Sequence, residues 1–576
     1  MSDSLFVITG GGTGAKVAES LIHLCAAGLA PRKVHVLMID TDATNGNVQR
    51  AGSTEQAYTN LQKYPWSVET TAKESKWNPF GSGEAVGTTL FSTDLHLYRL
   101  TDRLETVSGG GLDTAVGDNP DMRQVLELLY DDSERAATCD DGFRARPNLG
   151  CLHLTDHLND RLRVNTDAKK FLSALSGAAS SAARVPVVVT ASVFGGTGAS
   201  LLPVVRGCVE RTLKDGGGMA DLSALEWNAV KVLPHYRPTH RKESVDPDRF
   251  LLDTASALQF YSTVYKNEET SIYNGVYVIG SDRPARNTVQ PSLGSTEQSN
   301  PSYFEEFLAG LAVLHAANPT GDAATQPVRA FVPDPNQSAI RWSALPHADN
   351  DFLQEQFGYL LHLAAFYLHK GGRQDLTKGL EQLLSGISPD HLRQFGWYND
   401  IIDPWAKNNP SYEGASKSRR PAMIRNDASL GSLTYGSMRR EVADYFGRLL
   451  MWAETALKGE GLSLVDYRES DYAAVHSAMS QLSPDDVNSA RVNGSMRTIA
   501  PNQDNAMVRT LRVALAAMIR LHNKDVRIKV NVDNFHLMDG EQRIPLAITY
   551  PEVQTALRRN GLQSVPESYV RTQVSA

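Results

Sequence analysis

Val187-Val188-Val189-Thr190-Ala191-Ser192-Val193-Phe194-Gly195-Gly196-Thr197-Gly198-Ala199-Ser200 is the stretch on which the fold turns. Val185 and the run from Val187 to Ala191 read as a buried strand, because an unbroken β-branched run suits a strand covered on both faces. A glycine-rich turn follows at once. Leu201, Val204, Val205, Cys208, Val209 and Leu213 then continue at helical spacing, with Pro203 expected in the first turn or so, where a missing N–H is tolerated. Strand, glycine turn and helix together form a phosphate cradle. Glycines let the backbone approach an anion, and the unpaired N–H groups at a helix start favour its charge.

The same pattern opens the chain. Leu5-Phe6-Val7-Ile8 reads as a strand, Gly10, Gly11, Gly12, Thr13 and Gly14 as the turn, and Val17, Leu21 and Leu24 as a helix face. That helix is expected to end near Gly28. Val34 to Ile39 is a second strand, closed by Asp40, Thr41 and Asp42. An acid at the end of the second strand is where a dinucleotide fold holds a ribose hydroxyl, so this opening alone also fits an NAD-dependent enzyme that uses only the first loop. Two loops about 180 residues apart suggest instead one triphosphate gripped from two neighbouring strand ends. If no ligand were bound, glycines in both loops would cost chain entropy with nothing to offset it.

Gly195-Gly196-Thr197-Gly198-Ala199 with Pro203-Val204-Val205 resembles the signature of the tubulin/FtsZ superfamily. Phe194 stands where that family has its first glycine and Ser200 where it has its last. The opening glycines resemble the family's first phosphate loop, and Ile39-Asp40-Thr41-Asp42-Ala43 its second. A further turn of the family is sought in Gly142 to Gly150, which contains Asn148, or in Gly110 to Pro120. Tyr303 to Leu314 resembles the start of the family's central helix. The resemblance implies that Tyr303 or Phe304 stacks on a base and that Glu305 or Glu306 accepts from its edge. It implies a divergent bacterial GTP- or GDP-binding protein of the cytoplasm, with Mg2+ accompanying a triphosphate. It also implies a homo-oligomer, a filament of cytoskeletal kind, or a scaffold for a partner protein. Asp40 would lie near the ribose and Asp42 near phosphate or metal. The family's acidic hydrolysis loop is matched only loosely by Asn318 to Ala323, so any GTPase activity is expected to be slow or absent.

The fold class expected is α/β, a Rossmann-type, mostly parallel sheet over residues 1–315, with an insertion near 65–140. A helix-rich α+β domain is expected over 316–576, with helices at 351–384, 439–457 and 506–521 and strands at 526–532 and 545–550. The net charge of −8 gives no basic footprint for nucleic acid, four cysteines form no disulfide framework, and no run of about 20 apolar residues could span a membrane. The Walker pattern Gly-x-x-x-x-Gly-Lys is absent, and no metal site is assigned: His153 and His157 read as an ordinary helix face. His235, His240, Arg237 and Arg241 read as an exposed basic loop.

Overall fold

The computed structural model describes residues 4–63, 93–101, 120–135, 147–216, 221–238, 247–265, 272–280, 287–289, 295–319, 328–331, 435–459 and 462–467. It also describes isolated positions between these and short strands near the C-terminus. Seven strands form one sheet: β1 (Ser4–Gly10), β2 (Lys33–Ile39), β3 (Asp94–Leu100), β4 (Val185–Ser192), β5 (Leu225–Val232), β7 (Gly275–Ile279) and β9 (Val328–Phe331). Two shorter strands, β6 (Tyr236–Pro238) and β8 (Asn287–Val289), pair apart from it. The main sheet has the order β3-β2-β1-β4-β5-β7-β9, and every pairing in it is parallel. The expected α/β architecture is the one the chain adopts.

Alternation within the strands explains the layers. Leu5 and Val7 of β1 enter one hydrophobic cluster, while Phe6 and Ile8 enter another. Helices α1 (Gly11–Ala26), α2 (Gly46–Lys63), α9 (Phe304–Ala317) and α10 (Tyr435–Ala456) contribute to the first. Helices α5 (Pro147–Val164), α6 (Thr166–Ser181), α7 (Gly196–Asp215) and α8 (Pro247–Tyr265) contribute to the second. The sheet is therefore covered on both sides, which is why its central strands β1 and β4 are largely apolar.

The stretch 65–140, expected as an insertion, supplies β3 at the sheet edge and two helices, α3 (Pro120–Leu129) and α4 (Asp132–Arg135). Residues from 340–364 and 443–464 share the cluster of α1 and α9. Trp452 Nε1 of α10 donates to Ser20 Oγ of α1 at 3.0 Å, and Tyr445 OH lies 3.1 Å from His23 Nδ1. The helix expected at 439–457 runs from Tyr435 to Ala456. That expected at 506–521 and the strand at 545–550 lie outside the described residues, as does most of 351–384. Within 526–532, Lys529–Val530 is a strand, and it pairs with Val570–Arg571. Among the described residues no helix is long and apolar enough to cross a membrane.

Candidate functional site

The strand order reverses between β1 and β4, which are hydrogen-bonded neighbours through Phe6–Gly10 and Val187–Ala191. Chains that leave two such strands in opposite directions open a crevice at their carboxyl ends. Both glycine turns fall there. A methyl group placed on Gly11 would lie 3.4 Å from Thr197 Cβ and 3.5 Å from the Gly198 nitrogen, so the two turns face each other directly. Gly11 itself has φ +70°, a left-handed conformation that glycine adopts without cost.

The helices that leave these turns are uncapped. α1 begins after Gly10 and α7 after Gly195, and neither has a side-chain cap or an acid in its first turn. Other helices of the chain are finished differently. Asn165 Oδ1 caps α6 by accepting from the Asp167 and Ala168 nitrogens at 2.9 and 3.0 Å. Glu306 Oε2 caps α9 by accepting from the Tyr303 nitrogen at 2.8 Å. Two helix N-termini that carry no side-chain cap among the described residues, each a positive dipole end, thus converge where the loops meet, an arrangement suited to an anion.

The glycines divide by role. A Cβ on Gly10 would meet Leu201 Cδ2 at 2.6 Å, one on Gly14 the Thr9 carbonyl carbon at 3.0 Å, and one on Gly198 the Ser192 oxygen at 2.8 Å. These three let each helix pack onto its strand. Packing therefore offsets their entropy cost, which corrects the expectation that only a ligand could. Gly11 and Gly12 have no such backbone clash. The space beyond Gly12 meets the side-chain amides of Asn47, Asn45 and Gln298 at 3.1, 3.2 and 3.4 Å.

Pro203 is the eighth residue of α7, later than the first turn expected. Proline there deprives the Ala199 carbonyl of its helical donor. Tyr261 OH of α8 supplies the bond instead, at 2.7 Å. Ser200, one of the two departures from the glycine signature, is accommodated by Gly150: its Oγ lies 2.6 Å from the Gly196 oxygen one turn back and 3.2 Å from the Pro147 oxygen, and a Cβ on Gly150 would collide with it. The segment of Asn148, in the first turn of α5, is thereby brought to the second glycine helix.

At the end of β2, Asp40 is buried, and burial pushes its carboxyl up to about 7. Asn45 Nδ2 donates to it at 3.0 Å and the Asp42 nitrogen at 3.2 Å. Asp42 Oδ1 accepts from the Thr44 nitrogen at 2.9 Å and hydroxyl at 2.7 Å. The Thr41 hydroxyl is buried with no hydrogen-bond partner among the described residues. Asn45, Asn47 and Gln298 were not singled out from the sequence. The signal for Asn45 and Asn47 is the Asn-Gly-Asn run just after the acidic strand end, whereas nothing local marks Gln298.

Around the start of α9, Phe304 packs on Phe307 at a 6.2 Å centroid distance within the core. Tyr303 faces Lys16 Nζ at 5.3 Å from its ring centre. Glu306 is fully buried and pairs with Lys16 and, at 2.7 Å, with His235 Nε2. Burial pushes the Glu306 carboxyl up, but His235 and Lys16 outweigh it and hold the group down at about 2. His235 is also fully buried, which corrects its expected place on an exposed loop: the charge partner it needs comes from α9, 71 positions away. Phe194, the other departure from the glycine signature, lies edge-on to His235 and Tyr236 at 6.0 and 5.5 Å. The described part of the loop after α9 ends with Asn318, whose nitrogen closes the helix on the Leu314 and His315 oxygens, and Pro319; residues 320–323 lie outside it.

No protein-family model and no curated protein sequence matches the chain. Among solved structures it is similar to CetZ2 from Haloferax volcanii, described as a GTPγS-bound protofilament. Sequence identity is 13%, coverage 55% of this chain and 60% of that one, and the TM-score 0.22. The chain thus spans less than two thirds of that protein's length.

Proposed function

We propose that the chain is a divergent tubulin/FtsZ-like protein that binds a guanine nucleotide across the β1–β4 crevice, within a nucleotide-binding unit formed by residues 1–315. The carrying observation is the meeting of two uncapped helix N-termini at one switch point. Gly11, Gly12 and Thr13 would hold phosphate from one side, and Gly195, Gly196, Thr197 and Ala199 from the other. Gly10, Gly14 and Gly198 set the helices at the distance that makes this grip possible. Asp40 and Thr41 would meet the ribose, and Tyr303 the base. Mg2+, when bound with a triphosphate, supplies charge neutralisation, with Asp42 its nearest carboxylate in this reading.

The protein would act as a nucleotide-dependent scaffold or self-assembling subunit. Turnover would be slow or absent, because the loop after α9 offers a poor match to a water-positioning acidic loop. A nicotinamide-dependent enzyme is the competing reading. Asp40 at the end of β2 favours it, but it leaves the second uncapped helix without a role.

The test is to denature the purified protein after exposure to GTP, ATP and NAD in competition and to identify what is released. Recovery of GTP or GDP supports the proposal, whereas NAD or nothing overturns it. Gly196→Val and Thr197→Ala are expected to abolish binding with the circular dichroism spectrum unchanged. Undiminished binding in both variants sinks the proposed site.

A further inference from the structure

Behind the two phosphate loops, four elements meet in one buried polar junction. Lys16 comes from α1, one turn after Gly12. His235 and Tyr236 follow β5, Glu306 and Tyr303 open α9, and Phe194 belongs to the second glycine turn. Lys16 Nζ sits 5.3 Å from the ring centres of both Tyr236 and Tyr303 and pairs with Glu306 Oε1. The same oxygen accepts from His235 Nε2, while Oε2 holds the Tyr303 nitrogen.

The surroundings of the His235 ring fix its proton count. Nδ1 faces the Leu233 carbonyl at 3.0 Å and Nε2 faces the Glu306 carboxylate at 2.7 Å. Both neighbours are acceptors only, and a neutral imidazole carries one donor and one lone pair. Only the doubly protonated ring satisfies both contacts. The charged groups facing it from packed elements are Glu306 and Glu305 of α9 and Lys16 of α1, and its ring contacts are Phe194, Tyr236 and Tyr303. Burial lowers the affinity of the ring for its second proton, but Glu306 outweighs burial and holds that affinity above the ordinary histidine value.

We infer that Lys16, His235 and Glu306 form a charge lock that positions both glycine loops against α9, so that nucleotide affinity falls when His235 loses its second proton. This inference rests on the nucleotide reading above and assigns these side chains a positioning role behind the ligand. The neutral ring would set a lone pair against either the Leu233 or the Glu306 oxygen. The loop after β5 would then loosen from α9, and Phe194 would lose its seat on His235 and Tyr236. Lys16 alone would keep α1 tied to Glu306.

The experiment has two arms on the full chain. In the first, nitrogen-15 NMR of histidine-labelled protein without nucleotide compares wild type with His235→Gln to assign the ring. A ring doubly protonated at pH 7.5 is expected, and a neutral ring there overturns the lock whether or not nucleotide binds. In the second, GTPγS binding is measured calorimetrically from pH 7 to 9. Affinity is expected to fall about tenfold in wild type and in Asp40→Asn, to fall much less in His235→Gln, and to be kept by Lys16→Arg better than by Lys16→Met. Titration of the ligand itself is common to all five proteins and cancels. A slope that survives in His235→Gln and vanishes in Asp40→Asn assigns the effect to Asp40 and overturns the lock. Absence of GTPγS binding in wild type, with a protonated His235 ring, overturns the nucleotide reading and with it the lock's effect on affinity, but not the charge state.

Discussion

Removing the Tyr261 hydroxyl is expected to unseat the first turns of α7, and the size of the effect follows from the hydrogen-bond inventory. The Ala199 carbonyl cannot bond to residue 203, because proline has no N–H. Its donor is Tyr261 OH at 2.7 Å, and both residues are buried. Tyr261→Phe keeps the ring and deletes only the donor. An acceptor left buried and unpaired costs about 1–3 kcal/mol, so a loss of about 1.5 kcal/mol is expected. Pro203→Ala restores a helical N–H to the same carbonyl. In that background Tyr261→Phe is expected to cost only about 0.5 kcal/mol, which gives a coupling of about 1 kcal/mol between positions in two different helices. The assay is urea unfolding of the four proteins followed by tryptophan fluorescence, with midpoints compared at equal slope. If Tyr261→Phe costs the same within about 0.3 kcal/mol in both backgrounds, the carbonyl is satisfied in some other way and the reasoning fails.

Gly11→Ala places a side chain at φ +70°, which is expected to cost about 1–2 kcal/mol of stability and to weaken nucleotide binding, as read by thermal unfolding with and without GTP. Gly177→Ala, at a helical site with open space around it, is the control and is expected to be neutral or slightly stabilising. His23 should make the fold acid-sensitive. Burial holds its ring down at about 4, so the fold carries it neutral, against Tyr445 and Trp452. A base whose folded pKa lies below its unfolded value costs stability as pH falls from about 6.5 through 4, by up to about 3 kcal/mol. Urea midpoints at pH 7 and pH 4.5 measure this, and an equal drop in His23→Asn removes His23 as the cause.

The legible parts of the fold were those written in local pattern. β1, β2 and β4 are short, mostly apolar runs, and a glycine turn follows β1 at once and β4 after Val193 and Phe194. β3 was missed because Asp94-Leu-His-Leu-Tyr-Arg-Leu is an edge strand whose polar residues alternate with apolar ones. A window so charged reads as loop beside its strongly apolar neighbours. The docking of α10 was not legible either. A helical period over its residues shows that a helix exists, but Trp452 finds Ser20 and Tyr445 finds His23 across more than 400 positions. His235 belongs with these. Its sequence neighbours Arg237, His240 and Arg241 suggest solvent, and nothing local reveals the carboxylate that buries it.

The candidate site was legible in a different way, and the difference bears on what a glycine run can mean. Tight helix-to-strand packing and phosphate binding both demand glycine, so a run such as Gly10 to Gly14 cannot separate them. The structure separates them by what a Cβ would strike: protein backbone or a core side chain at Gly10, Gly14 and Gly198, but the facing loop at Gly11. A Ser, Thr, Asn or Asp before each helix would add only a few tenths of a kcal/mol of cap stability over glycine, and its Cβ would meet Leu201 Cδ2 at 2.6 Å at position 10 and Ser192 Oγ at 2.8 Å at position 195. Asn165 shows that this chain uses such caps. Gly10 and Gly195 forgo them at the two helices whose N-termini meet in the crevice. Packing thus accounts for glycine at both cap positions, and the anion reading rests instead on the two N-termini meeting in one crevice, where a bound anion would complete both helices.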